Sequence, residues 1–184
     1  MAVSDRERLQ AVVRQLKKRP IVPDGAGTPF EIDRAAIERI IPHRAPMLLV
    51  DGVDVVDLEH RAVRGHRQMR ASDQGFAGHF PGEAVYPGVL LIEAMGQLGL
   101  TLLHFVEGAT TVVPADATPR RVRATHVHYA AFLAPVVPGD RLTLHAQAVD
   151  SPPQTQVGFG IGAAAEAHVL TPNPSRRKTP HGSV

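Results

Sequence analysis

Two side chains in this chain have types and surroundings suited to moving protons. His79 sits in the loop Gly78-His79-Phe80-Pro81-Gly82, and Glu93 follows fourteen residues later, near the start of a long apolar run. A histidine is the side chain best placed to act as a base near neutral pH, and a half-buried carboxyl group is a natural acid. The free N–H groups of a helix N-terminus can polarise a carbonyl oxygen. Together these parts would make an acid–base site acting next to a carbonyl. Taken singly, each residue has a plainer reading. Glu93 would be a satisfied structural carboxylate and His79 an ordinary loop histidine, and spacing alone does not choose between the readings.

The element that must carry Glu93 is a helix from about Gly88 to Val106, with Pro87 near its first turn, where a missing N–H costs nothing. Leu90, Leu91, Ile92, Met95, Leu98, Leu100, Leu102, Leu103, Phe105 and Val106 point in many directions, which predicts burial on most sides. Glu93, Gln97, Thr101 and His104 recur at steps of four, four and three and share one face. Glu107-Gly108 should end the helix, with Gly108 as a left-handed cap.

Around this helix the pattern predicts strands. Met47 to Asp57 reads as one strand interrupted by Gly52, and Ala62 to Arg70 as a second. Further strands are expected near 110–115, 121–133, 140–150 and 156–170. Pro138-Gly139 suits a type II turn. Asp33 to Ile41 reads as a short helix stopped by Pro42. Residues 20–30, rich in Pro and Gly, read as a linker, and residues 1–20 as an amphipathic basic helix. A run of strands with one long helix is an α+β pattern.

Composition narrows the function classes. The chain has 184 residues, 43% hydrophobic and 21% charged, which suits one domain with a sizeable core. It has no Cys, which excludes disulfides, thiolate metal sites and a cysteine nucleophile. A net charge of +2 gives no case for nucleic acid. No apolar run is expected to reach the length of a membrane span, the long helix carrying Glu93 and Gln97, and no signal peptide is evident, so the expected location is cytoplasmic. His126 and His128 lie two apart on an expected strand, with His104 and His145 elsewhere, but no zinc signature accompanies them and no metal is expected. No Ser has a nucleophile-elbow context. Arg120, Arg121 and Arg123 form a basic cluster, either a solvated strand end or a docking patch for an acidic partner.

The motifs choose between the readings. Gly78-His79-Phe80-Pro81-Gly82, then Pro87-Gly88-Val89, then Glu93-Ala94-Met95 with Gln97, resembles the signature of the 3-hydroxyacyl-[acyl-carrier-protein] dehydratases of the FabZ type. Ile41-Pro42-His43-Arg44-Ala45-Pro46-Met47-Leu48-Leu49-Val50-Asp51 is similar to that family's N-terminal motif, and Pro135-Val136-Val137-Pro138-Gly139-Asp140 to its late turn. The resemblance implies a hotdog fold, a curved antiparallel sheet wrapped around one long helix, over residues 30–170. Residues 1–29 would be an N-terminal helix and linker, and 171–184 a disordered tail. It implies dehydration of a (3R)-3-hydroxyacyl thioester to the trans-2-enoyl thioester, in fatty-acid or polyketide-type biosynthesis. The substrate would ride on the phosphopantetheine of acyl carrier protein, with no other cofactor.

In that reading His79 is the base and Glu93 the acid. The Gly88 N–H holds the thioester oxygen, the Val85 carbonyl orients the imidazole, and Gln97 holds the carboxyl. Phe80 and Tyr86 would contact substrate. The resemblance also implies a homodimer, or a trimer of dimers, with each site shared between chains. Glu83, Ala84 and Tyr86 stand where the family usually has His, Pro and Met, and Tyr86 would narrow the acyl tunnel. The alternatives are a hotdog thioesterase, with Glu93 activating water, and a non-catalytic acyl-binding protein.

Overall fold

A computed structural model describes residues 27–119 and 134–149, together with Arg14, Ile21, Val22, Gly25, Val127, Ala130, Phe132 and 160–162. Strand β1 (Thr28–Asp33) leads into helix α1 (Arg34–Ile40), then β2 (Gly52–Asp57) and β3 (Ala62–Gln68). A short 3-10 turn (Gln74–Phe76) and helix α2 (Gly88–Gly108) follow, then β4 (Arg141–Val149) and β5 (Gly160–Gly162). The strands form one five-stranded sheet in the order β1-β2-β3-β4-β5, each antiparallel to its neighbour. α2 lies against β3 and β4. This is the α+β arrangement of a sheet wrapped on one long helix, the hotdog fold.

The core forms where the apolar stripe of α2 meets the inner face of the sheet. Ala94, Leu98, Leu102 and Phe105 pack with Val53, Val56, Val63, Leu142, Leu144 and Ala146, and Ile37 and Ile40 of α1 close one end. Gly65 sets how close helix and sheet come: a Cβ there would lie 2.6 Å from the Gly52 carbonyl oxygen and 2.9 Å from Leu98 Cδ1. A smaller cluster of Val22, Val55 and Ala62 forms separately.

The segment 41–51 between α1 and β2 is clamped by Asp51. Its carboxylate accepts the Gln68 N–H at 2.8 Å and contacts Arg34 and Arg70, each at 3.3 Å. This segment is irregular, so the expected strand from Met47 begins only at Gly52. Its polar backbone bonds elsewhere, Leu48 N–H to the Arg44 carbonyl and Leu49 N–H to the Gln97 side chain.

Several other expectations need correcting. β1 begins at Thr28, inside the expected linker; Pro29 is tolerated because β1 is an edge strand. Residues 110–115 are irregular and not a strand. The first turns of α2 are only partly covered: Val89 is 70% exposed, and Leu91, Ile92 and Met95 are half-buried. At 21 residues α2 is long and apolar enough to cross a membrane, against the expectation of no such run. Its apolarity is used on the core, and it carries buried Gln97 and Thr101 besides Glu93. The short helix does start after Asp33, whose side chain accepts the Ala36 N–H. The type II turn is present, with Gly139 at φ 93° and the Asp140 N–H bonded to the Val137 carbonyl. The expected N-terminal helix and the tail from 171 fall outside the described residues, Arg14 excepted. So do most of the strands expected over 121–133 and 156–170.

α2 also ends one residue later than expected. Its left-handed cap is Ala109, at φ 44°, and not Gly108. A Cβ in that region costs about 1–2 kcal/mol, and glycine there loses part of the gain through its larger unfolded-state entropy. Ala109→Gly should therefore stabilise the fold by about 0.5–1 kcal/mol, read from the urea midpoint at unchanged slope.

Candidate active site

His79 lies on the loop that enters α2. Its Nδ1 is 2.8 Å from the Val85 carbonyl oxygen. A carbonyl only accepts, so Nδ1 carries the proton and Nε2 keeps a lone pair, the tautomer a base requires. The loop is closed on itself by a backbone bond from Val85 N–H to the His79 carbonyl and by a pair of bonds between Phe80 and Glu83. Phe80 stacks on the imidazole at 4.1 Å between centroids and is 55% exposed, so its ring contact among the described residues is with His79 itself.

A pocket of about 450 Å³ opens beside this loop. His79, Val85, Tyr86, Gly88, Phe132 and Val136 are among its lining residues, and the lining is chiefly apolar. Gly88 begins α2, so its N–H has no partner within the helix. Its lack of a side chain matters, because a Cβ would lie 2.7 Å from the Phe132 ring.

Tyr86 forms a buried wall of the pocket. Its ring meets Phe76 edge-on at 5.1 Å, and Arg67 donates to its oxygen at 3.3 Å. Arg67 is itself buried and pairs with Asp73 at 3.3 Å. Burial pushes the Tyr86 phenol above its usual range, Arg67 pulls the other way, and Asp73 adds to the rise.

Glu93 is placed elsewhere on the helix. Five residues beyond Gly88, it lies about 7.5 Å along the axis and roughly 140° around it. No hydrogen bond joins it to His79 among the described residues, and it does not line the pocket. Its side chain is 39% exposed. Gln97 Nε2 donates to its Oε1 at 2.8 Å, and His43 Nε2 lies 3.3 Å from the same oxygen. Gln97, only 1% exposed, also donates to the Met47 carbonyl at 2.8 Å and accepts the Leu49 N–H at 2.7 Å.

Thus the structure brings His79, Val85, Tyr86 and Gly88 together around one pocket, with Phe80 stacked on His79 but not lining it, and Glu93 and Gln97 into a second constellation. His43, Arg67 and Asp73 were not singled out from the sequence. His43 lies within a quoted motif but has no spacing relation to Glu93, and Arg67 reads as an ordinary strand residue. Arg120, Arg121 and Arg123, like His126 and His128, lie outside the described residues. Among the described residues no group of side chains could hold a metal ion.

Residues 41–167 match the profile of the FabA-like domain. The chain belongs to this family. A 3-hydroxyacyl-[acyl-carrier-protein] dehydratase FabZ of Clostridium botulinum (strain Eklund 17B / Type B) is 38% identical over 140 residues, which is 73% of this chain and 93% of that protein. The FabZ of Granulibacter bethesdensis is 41% identical over 116 residues, 63% of this chain and 64% of the relative. That of Campylobacter jejuni is 41% identical over 111 residues, 60% and 73%. The family match begins at Ile41, where the segment over Glu93 starts, and extends beyond β5.

The buried Gln97 amide of this FabA-like domain can be tested through stability. Gln97→Leu strands the Leu49 N–H and the Met47 carbonyl, and each buried orphan costs about 1–3 kcal/mol. With two such orphans the variant should lose about 2–6 kcal/mol of unfolding free energy in urea.

Proposed function

We propose that the protein removes water from a (3R)-3-hydroxyacyl thioester carried on acyl carrier protein and releases the trans-2-enoyl thioester. The observation that carries this reading is the His79 loop, with its base tautomer set by the Val85 carbonyl and the Gly88 N–H on the same pocket. The dehydratase names of the relatives support it. His79 Nε2 takes the C2 proton. The electron pair left at C2 forms the C2=C3 bond as C3–O breaks. The thioester oxygen gains negative charge on the way and is held by the Gly88 N–H, reinforced by the helix N-terminus. Glu93 gives its proton to the departing hydroxyl, so water leaves. The thioester itself acidifies C2, so no metal or organic cofactor is required beyond the carrier's phosphopantetheine. The work would belong to fatty-acid or polyketide-type biosynthesis, by a soluble enzyme in the cytoplasm.

In this reading the active site is shared between two copies of the chain, in a homodimer that can assemble further into a trimer of dimers. The separation of Glu93 from the His79 pocket within one chain supports this, and so does the partly uncovered apolar start of α2. A partner's Glu93 would complete the pocket. His79→Ala and Glu93→Gln should each lower turnover about a hundredfold or more. Unfolding His79→Ala with Glu93→Ala and refolding them together should restore roughly a quarter of normal activity, because half the dimers are mixed and each has one intact site. A mixture that stays inactive while both variants fold and exchange would refute the shared site. Release of free acid in place of enoyl thioester would point to a thioesterase.

Arg120, Arg121 and Arg123 are proposed to dock the acidic carrier. Reversing them to Glu should raise KM for the carrier-bound substrate, leave a short pantetheine thioester nearly unaffected, and be mimicked by added salt. Equal losses on both substrates would count against docking.

A further inference from the structure

The two contacts on Glu93 fall on one oxygen. Gln97 Nε2 and His43 Nε2 both face Oε1, at 2.8 and 3.3 Å. The Gln97 amide has no freedom to turn. Its oxygen is committed to the Leu49 N–H, a donor, and its nitrogen to the Met47 carbonyl, an acceptor. It must therefore offer Glu93 an N–H. Oε1 accepts, whatever the protonation state of the carboxyl group, and an acid proton on Glu93 belongs on Oε2.

His43 completes this arrangement. It lies just after α1, where Arg44 pins the turn by donating to the Ile41 and His43 carbonyls at 2.9 and 2.7 Å. Its Nδ1 is buried without a partner among the described residues. A buried lone pair is better tolerated than a buried N–H with nothing to bond, so the proton of a neutral His43 sits on Nε2, toward Glu93. At 3.3 Å the pair is in contact without the alignment of a formed hydrogen bond, and catalytic contacts of this kind align and tighten when substrate fills a site.

We infer that His43 is a positioning residue for the acid. With Gln97 it ties down Glu93 Oε1, keeps the transferable proton on Oε2, and steadies the carboxylate that forms as the proton departs. This rests on the dehydratase reading above. His43 belongs to the same chain as the Glu93 it serves, and its help is needed only when the leaving group needs a proton.

That last point supplies the test. A 3-hydroxybutyryl pantetheine thioester loses water and needs Glu93 to protonate the hydroxyl. A 3-chlorobutyryl pantetheine thioester loses a C2 proton to His79 and chloride from C3, and chloride leaves unprotonated. His43→Leu and His43→Phe keep bulk and remove the donor. They should lower kcat on the hydroxy substrate about ten- to a hundredfold, the scale of a hydrogen bond to a charged group, with KM little changed. Chloride elimination above the uncatalysed rate should stay within about twofold, since the bond lost serves only the departing hydroxyl. His43→Gln, which keeps an N–H donor, should recover most of the hydroxy activity. Equal losses on both substrates, or none on the hydroxy substrate, overturn the assignment to His43. A wild-type enzyme that forms no enoyl thioester from the hydroxy substrate overturns the dehydratase reading itself.

Discussion

One buried amide ties this molecule's chemistry to its architecture. Gln97 sits on the central helix, and all of its hydrogen-bonding capacity toward the fold is used on the backbone of Met47 and Leu49. A buried polar side chain is stable only when its partners are present, so helix and segment must meet in this register or not at all. What remains of the amide, a single N–H, points at Glu93. The carboxyl group thus inherits its orientation from the same contact that fixes the helix against the chain before β2. Asp51 performs the complementary task at the segment's other end, holding it to β3 through the Gln68 N–H.

The His79 half of the chemistry is organised differently. It depends on local backbone closure, with His79 and Val85 bonded to each other twice, once through the main chain and once through the ring. Such a loop needs little from the distant sheet. The two halves are therefore built on independent supports, one local and one long-range. In the shared site proposed above, such separate supports would let each half be ordered before the other arrives, with little lost when they meet.

Much of this was legible in the residues. The stretch from Gly78 to Gln97 marks the helix start, the His79 loop and the pairing of Glu93 with Gln97, because each motif residue has a local job: a turn, a helix entry, a side chain one turn from another. The 3.6-residue period located α2, and alternation located β3 and β4. The failures share a cause. The segment 47–51 is apolar and has the pattern of a strand, yet much of its backbone is satisfied by side chains from elsewhere, Gln97 for the Met47 carbonyl and the Leu49 N–H and Arg34 for the Leu48 carbonyl. β1 was hidden because Pro29 hides an edge strand from any local reading. His43 escaped notice because fifty residues separate it from the carboxyl group it touches, and no periodicity spans that gap. Ala109 as the helix cap defied residue preference, since the bonds to Phe105 and Val106 hold it there.

The wall formed by Tyr86 has an evolutionary corollary. Its ring lies so close to Gly75 that a methyl group there would collide with it, and its oxygen is an acceptor for a buried arginine already shared with Asp73. Replacing the tyrosine alone would leave a guanidinium short of a partner and a gap beside the glycine. Enlarging residue 75 alone would displace the ring. Each single step from this arrangement is penalised, although a joint change at 67, 73, 75 and 86 need not be. Lineages that reached this set would tend to keep it, whatever their substrates demanded of the pocket.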